Sequence, residues 1–311
     1  MSLAPFVQIV ARGKGRARPM TFDEAKEAMT LILEGNTAPE AVGALLMVMR
    51  LRGETAEEIA GFTAALRIHV QGALPPADID WPCYAAGRSR GTPLFLLSAR
   101  LVAMAGYRVS MHGWNSHQSK AASVRDALDW VGPDVRYDPL ERLCPEAFDL
   151  LNLRDVLGLR SCFNTVLRMW NPSGALVSVQ GVFHPSYRGL QSEAAKIIGG
   201  QDLVVIKGGG GEFERHPAKD IAIYGWRNGA FLNDVAPALL DEKRRLHEVG
   251  TAHDLGALWC GTSMDVFAVA TITGTAAIAL WALKAADTLE AAQDKANALW
   301  ANRHQHESLS A

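Results

Sequence analysis

Leu203-Val204-Val205-Ile206-Lys207-Gly208-Gly209-Gly210-Gly211 reads as a short buried strand stopped by glycine. It is apolar, rich in β-branched residues, of strand length, and ended by residues that turn freely. Runs of similar kind occur upstream at Trp81 to Ala86, Tyr107 to Met111, Phe148 to Leu151 and Leu176 to Gln180, with helical patterns between them. Strand–helix alternation predicts an α/β fold, a mostly parallel sheet flanked by helices. Downstream, Ile221 to Trp226 and Ala230 to Val235 flank Arg227-Asn228-Gly229, whose Asn-Gly signals a hairpin turn.

Ahead of the break at Leu74-Pro75-Pro76, the chain reads as three short helices. Each is opened by a Thr followed three residues later by Glu: Thr21 with Glu24, Thr37 with Glu40, Thr55 with Glu58. Behind the first, Ala25, Ala28, Met29, Ile32 and Leu33 recur at helical spacing until Gly35-Asn36. The expected organisation is a small helical domain over residues 1–73 and a large α/β domain over residues 74–311. Helices return at the C-terminal end, from about Asp265 and again from Asp287, which has Glu290 three residues on. The apolar stretch Val266 to Leu283 is mostly Ala and Thr and contains Gly274, so it is expected to be a core helix and not a membrane span.

With 311 residues, 49% of them hydrophobic and 21% charged, the chain can bury a sizeable core. A net charge of -2 excludes polyanion binding by bulk electrostatics, so affinity for phosphate must come from a local patch. Four cysteines without a C-x-x-C pair, and a start without a signal-peptide pattern, predict a reducing cytoplasm. No Ser-His-Asp context and no dinucleotide fingerprint is present, so no catalytic residue is assigned. His304 and His306, in a polar tail, do not make a metal site by themselves.

Several segments in order carry a resemblance. They are the helices from Thr21 to Arg67 with Ile59-Ala60-Gly61-Phe62, then Met111-His112-Gly113-Trp114-Asn115, then Leu157-Gly158-Leu159-Arg160-Ser161 with Asn164 and Asn171-Pro172. Together they resemble the anthranilate phosphoribosyltransferase family, within the nucleoside phosphorylase class. That resemblance implies a helical domain completed in space by about residues 155–172 and used for homodimerisation. It also implies an α/β domain that binds a phosphorylated sugar, phosphoribosyl diphosphate, with Mg²⁺ at the diphosphate. His112, Asn115 and Arg160 would then lie where the family binds its acceptor.

The expected phosphate cradle departs from the family pattern. A Gly-Thr-Gly-Gly-Asp loop should follow the first sheet strand, since glycines let backbone N–H groups converge on phosphate. Here the stretch is Tyr84-Ala85-Ala86-Gly87-Arg88-Ser89-Arg90-Gly91, and the next helix opens with Pro93-Leu94-Phe95-Leu96. Arg88 and Arg90 are candidate phosphate ligands through their guanidinium forks, or else solvated surface arginines. In place of the family's Asp-Glu pair stand Glu212 and Glu214 after the four glycines, candidate Mg²⁺ ligands or solvated turn acids.

Arg12, Lys14, Arg16 and Arg18 form a basic leader of the kind that contacts nucleic-acid phosphates, or one that is merely solvated. That leader, the Tyr-x-x-x-Arg loop and His184-Pro185-Ser186-Tyr187 resemble a nucleic-acid-binding paralogue branch more closely than the tryptophan-pathway enzyme. Two functions follow from the sequence. One is a glycosyltransferase-family protein holding a phosphate-bearing ligand at a modified site, without ordinary anthranilate transfer; the other is a non-catalytic homodimer that binds nucleic acid.

Overall fold

Two of the three capping boxes form as expected. Thr21 accepts from the Glu24 N–H while Glu24 reaches back to the Thr21 N–H, and Thr55 and Glu58 do the same. They open α3 (Phe22–Leu33) and α5 (Ala56–His69), which follow α1 (Ala4–Ala11) and α2 (Gly13–Arg16) in a computed structural model. The structure describes residues 2–70, 74–84, 91–114, 122–242, 244–247 and 252–304. The third box does not form: α4 (Pro39–Arg52) is capped by Ala38, because Pro39 takes the first helical position and moves the start past Thr37. The leader is not an extended arm either, since α1 buries Phe6 and Val10 and Arg18 is ion-paired with Glu24 at 2.6 Å.

The chain then alternates. β1 (Ile79–Cys83), α6 (Phe95–Met104), β2 (Val109–Gly113), β3 (Val135–Pro139), α7 (Leu140–Leu143), α8 (Pro145–Leu157), α9 (Phe163–Met169), β4 (Val177–Val182), α10 (Tyr187–Ile198) and β5 (Asp202–Lys207) lead to the hairpin β6 (Ile221–Arg227) and β7 (Ala230–Ala236). Phe148 to Leu151, expected as a strand, lies inside α8; four apolar residues fit either period, and Pro145 at the start of the helix decides. Asn228 (φ 56°) and Gly229 (φ 73°) make the hairpin turn with two left-handed residues, as that turn requires. α11 (Leu255–Cys260), α12 (Val266–Ala282) and α13 (Leu289–Ala301) end the described chain. Asp265 caps α12 as expected, whereas Thr288 and not Asp287 caps α13.

The sheet runs β3-β2-β1-β4-β5-β6-β7, parallel through β5 and antiparallel in the last two strands. One core joins the sheet to α6, α12 and α13, with Trp81, Phe95, Phe213, Ile272 and Ile278 fully buried. α12 is thus a core helix, and among the described residues no helix is long and apolar enough to cross a membrane. A second core gathers Leu45, Phe62 and Leu66 from the N-terminal helices with Leu140, Phe163, Leu167 and Trp170 from the middle of the chain. Arg67 ties these parts together, donating to the Trp170 and Met169 carbonyls at 2.8 Å and to Gln201 at 2.9 Å.

Candidate functional site

Strand order reverses between β1 and β4, and ligands of open α/β sheets bind outside the carboxyl ends of strands at such a point. A cleft opens beyond the end of β4, lined by Val182, Phe183 and His184 and by residues of the 160–168 segment. Arg50 from the last turn of α4, Arg160 from the turn after α8, and Arg168 from α9 converge on it. No acidic residue is among the described residues that line it.

The cleft concentrates positive charge. Arg160 is half-buried, and burial, then the neighbouring charges of Arg154, Arg168 and Arg50, push its pKa down to about 10. Each of these forces penalises a cation that lacks a counterion. Arg168 is only 5% exposed, with its pKa lowered by burial. Its Nη1 donates to the Asn164 carbonyl at 3.0 Å, but its Nη2 has no hydrogen-bond partner. Gln191, 1% exposed in the same wall, leaves its Oε1 unbonded. Buried polar groups are normally paired, so these atoms are those an occupant would satisfy. Tyr187 closes the rim, donating to Glu54 at 3.1 Å; burial and then Glu54 push its phenol up to about 12.

His112, expected to face a ligand, faces inward. It is fully buried, with Nδ1 2.7 Å from the Tyr84 hydroxyl and Nε2 3.1 Å from Asp80. The other oxygen of Asp80 accepts from Ser178 at 2.8 Å, and Ser178 accepts from Gln180 at 3.1 Å. Register produces this chain, since Asp80 lies opposite Ser178 on β4 and Pro82 opposite His112 on β2. Both ring nitrogens are occupied, so His112 is a strut within the sheet. Asn171 is a second strut: at φ 51° it uses its side-chain amide to hold the Ala175 backbone and Gln201.

The N-terminus of α6, where a phosphate cradle was expected, is filled from within. Glu214 is fully buried, and its Oε2 accepts from the Phe95 N–H at 3.0 Å while its Oε1 pairs with His247. A carboxylate satisfies a helix N-terminus by the same dipole attraction that would favour a phosphate. Glu212 is 1% exposed and near enough to Arg168 to favour its charged form. Neither acid is among the described residues lining the cleft, and the alternative of solvated turn acids is corrected here, since both are buried after the four glycines. His253 helps to close this side, because its N–H donates to Thr92 and its carbonyl accepts from the Thr92 hydroxyl, at 2.8 and 2.9 Å.

Of the other expected residues, Arg88, Arg90 and Asn115 lie outside the described residues, as does the side chain of Lys14. Arg12 donates to Gln8 at 3.3 Å, Arg18 is held by Glu24, and Arg16 is exposed. Arg50 and Arg168 were missed by sequence reasoning. The available signal was an arginine set in the otherwise apolar run of Val166, Leu167, Met169 and Trp170.

The sequence matches a family model described as "Glycosyl transferase family, helical bundle domain" over residues 6–70. It is similar to the anthranilate phosphoribosyltransferases of Rubrobacter xylanophilus, 30% identical over 63% of this chain and 62% of that protein, and of Rhizobium rhizogenes, 32% identical over 67% and 65%. The alignments therefore span a little less than two thirds of these relatives' lengths. Among solved structures, its fold is similar to that of anthranilate phosphoribosyltransferase from Thermus thermophilus, with a TM-score of 0.75, 21% identity, and 91% of this chain and 92% of that one covered. The Saccharomyces cerevisiae enzyme in complex with PRPP and Mg gives a TM-score of 0.69 at 14% identity, covering 97% and 95%.

Proposed function

From the premise that the helical-bundle match, the relatives and the fold together support the anthranilate phosphoribosyltransferase family for this chain, we propose that it is a phosphoribosyltransferase-like protein. It binds an anionic ligand of phosphoribosyl-transfer chemistry, a phosphorylated sugar or a carboxylate-bearing acceptor, between Arg50, Arg160 and Arg168. The observation that carries this reading is the buried Arg168 with an unpartnered Nη2 beside a half-buried Arg160 in a cleft with no acid among its described lining residues. Guanidinium forks match carboxylate and phosphate oxygens two at a time. Phe183, His184 and Tyr187 supply ring surface for a planar ligand at the same rim.

The reading departs from ordinary transfer on the diphosphate side, where Glu214 already satisfies the start of α6. The Saccharomyces cerevisiae enzyme of similar fold is in complex with PRPP and Mg. Glu212 and Glu214, the carboxylates expected to hold that ion here, do not fit it as placed, so no step of this reading runs through a metal. What this chain's residues do is hold and orient an anion and exclude water from its buried end. Homodimerisation is part of the proposal, supported by exposed apolar Leu51, Val156 and Leu159 next to the cleft's outer wall.

Calorimetry with PRPP and with anthranilate, each with and without Mg²⁺, tests it. Binding of at least one ligand is expected, weakened about 10- to 100-fold in Arg160→Ala, the value of a charge-assisted hydrogen bond of about 1.5–3 kcal/mol. Absence of heat with both at millimolar concentration overturns it. Should labelled oligonucleotides bind instead, with log affinity falling by about 0.7–0.9 per phosphate against log salt, the nucleic-acid reading replaces it.

A further inference from the structure

Away from the cleft, the end of α5 meets the start of α8 at three side chains that the function above does not use. His69 is the last residue of α5, Cys144 caps α8, and Glu146 lies in its first turn. Their ligand atoms all lie within 4.8 Å of one another. The Cys144 Sγ is 3.5 Å from Glu146 Oε2, and His69 Nε2 is 3.6 Å from the same oxygen. We propose that His69, Cys144 and Glu146 form a binding site for a zinc-class divalent cation, with a water as fourth ligand.

The geometry can be checked against the ion. Zinc takes sulfur at about 2.3 Å, imidazole nitrogen at about 2.0–2.1 Å and carboxylate oxygen at about 2.0–2.2 Å in a tetrahedron, so the sulfur–oxygen edge is about 3.5 Å and the nitrogen–oxygen edge about 3.4 Å. Both observed edges are within a few tenths of an ångström of these. The remaining edge closes by rotation of His69, whose side chain is partly exposed at 30%. One thiolate, one imidazole and one carboxylate select a borderline-soft cation and disfavour Mg²⁺, which demands oxygen and an octahedron.

Burial keeps sulfur and solvent apart on one side, since Cys144 is 1% exposed, while His69 and Glu146 leave the other side open to an entering ion and its water. Without an ion, the thiol hydrogen-bonds Glu146. Binding replaces that S–H bond by a sulfur–metal bond and releases one proton to solvent, with no change of oxidation state. The ion would join the N-terminal helices to the second helical segment at the point where the chain leaves α5 for the sheet.

The test uses the full chain carrying Cys260→Ser, which removes the exposed thiol. Titration with Co²⁺ is expected to give a thiolate-to-cobalt charge-transfer band and the strong visible bands of a tetrahedral ion, saturating at one ion per chain and abolished by Zn²⁺. Cys144→Ser should lose the charge-transfer band. His69→Gln should weaken binding by at least about tenfold, the low end of what loss of even a supporting partner costs a metal site. Zn²⁺ should raise the melting temperature of the parent and not of His69→Gln. No charge-transfer band at millimolar Co²⁺, or a band unchanged in His69→Gln, overturns the proposal; that exposed position decides the matter even if Cys144→Ser does not fold.

Discussion

The cationic cleft beyond β4 and the N-terminus of α6 are both built to stabilise negative charge, and they differ in where that charge comes from. At α6 the chain supplies its own anion: Glu214 is fully buried, bonded to the Phe95 N–H and paired with His247. At the cleft the charged side chains among the described lining residues are cations, with Arg168 keeping one nitrogen unbonded, though Glu212 lies near it, and Arg160 depressed to about 10 by burial among like charges. A buried charge without a partner lowers stability, so retaining one marks a place where a ligand completes the structure. The comparison teaches that fold-level likeness to a phosphoribosyl-transfer enzyme does not fix which of its anion sites is available.

Four experiments would break or sharpen this contrast. The largest effect is expected from Glu214→Ala, which removes the acceptor of the Phe95 N–H and the partner of His247 and should cost about 3 kcal/mol or more in denaturant unfolding; a loss under about 1 kcal/mol would mean that α6 does not depend on its internal anion. Arg168→Met should act in the opposite sense. With a buried cation removed, unfolding stability should hold or rise, while the bound anion weakens about 10- to 100-fold; a marked destabilisation would show Arg168 to be a structural ion. Arg160→Ala should weaken the ligand toward the lower end of that range and change stability by no more than about 0.5 kcal/mol, since the site is half open.

The smallest effect concerns the cover over α6. Burial holds His216 and His253 below the ordinary imidazole value, so folding disfavours their protonated forms. The unfolded chain takes up protons at about pH 6.5. The stability they contribute is therefore present above that pH and lost as pH falls through their lower folded values. Hydrogen exchange at the His253 amide, which donates to Thr92, should accelerate on acidification before exchange in α12 does. Equal acceleration in both would locate the acid response elsewhere.

Much of the fold was legible because local signals agreed with tertiary ones. The Thr21 and Thr55 boxes, the Asn228-Gly229 turn and the Asp265 cap each have a short-range mechanism. β3 was not legible: Val135-Arg136-Tyr137-Asp138-Pro139 is an edge strand carrying an Arg136–Asp138 ion pair, and its charges hide the pattern. Phe148 to Leu151 misled because an apolar run of that length fits a strand as well as a helix face. Arg160, singled out by its motif, lines the cleft, whereas the Asp80–Ser178 bond joins residues 98 apart and exists only once β1 and β4 are in register. His112 was assigned to a ligand because a motif names a residue and not the direction in which it points.

The second core has a consequence for how the protein is made. Its residues come from the first 66 positions, from Leu140 to Trp170, and from Tyr84, Val182, Ala194, Ala195, Leu203 and Val205, so the helices synthesised first, although they pack on one another, complete their core only with segments that follow three strands of the sheet. Contacts of such long sequence separation are slow to form, because the ordering of the intervening loop precedes their reward. A nascent chain stalled before residue 140 would hold Leu45, Phe62 and Leu66 uncovered, a state open to misassociation and to chaperone capture. On the ribosome, then, the N-terminal helices gain their full core only on the arrival of a segment encoded much later in the message.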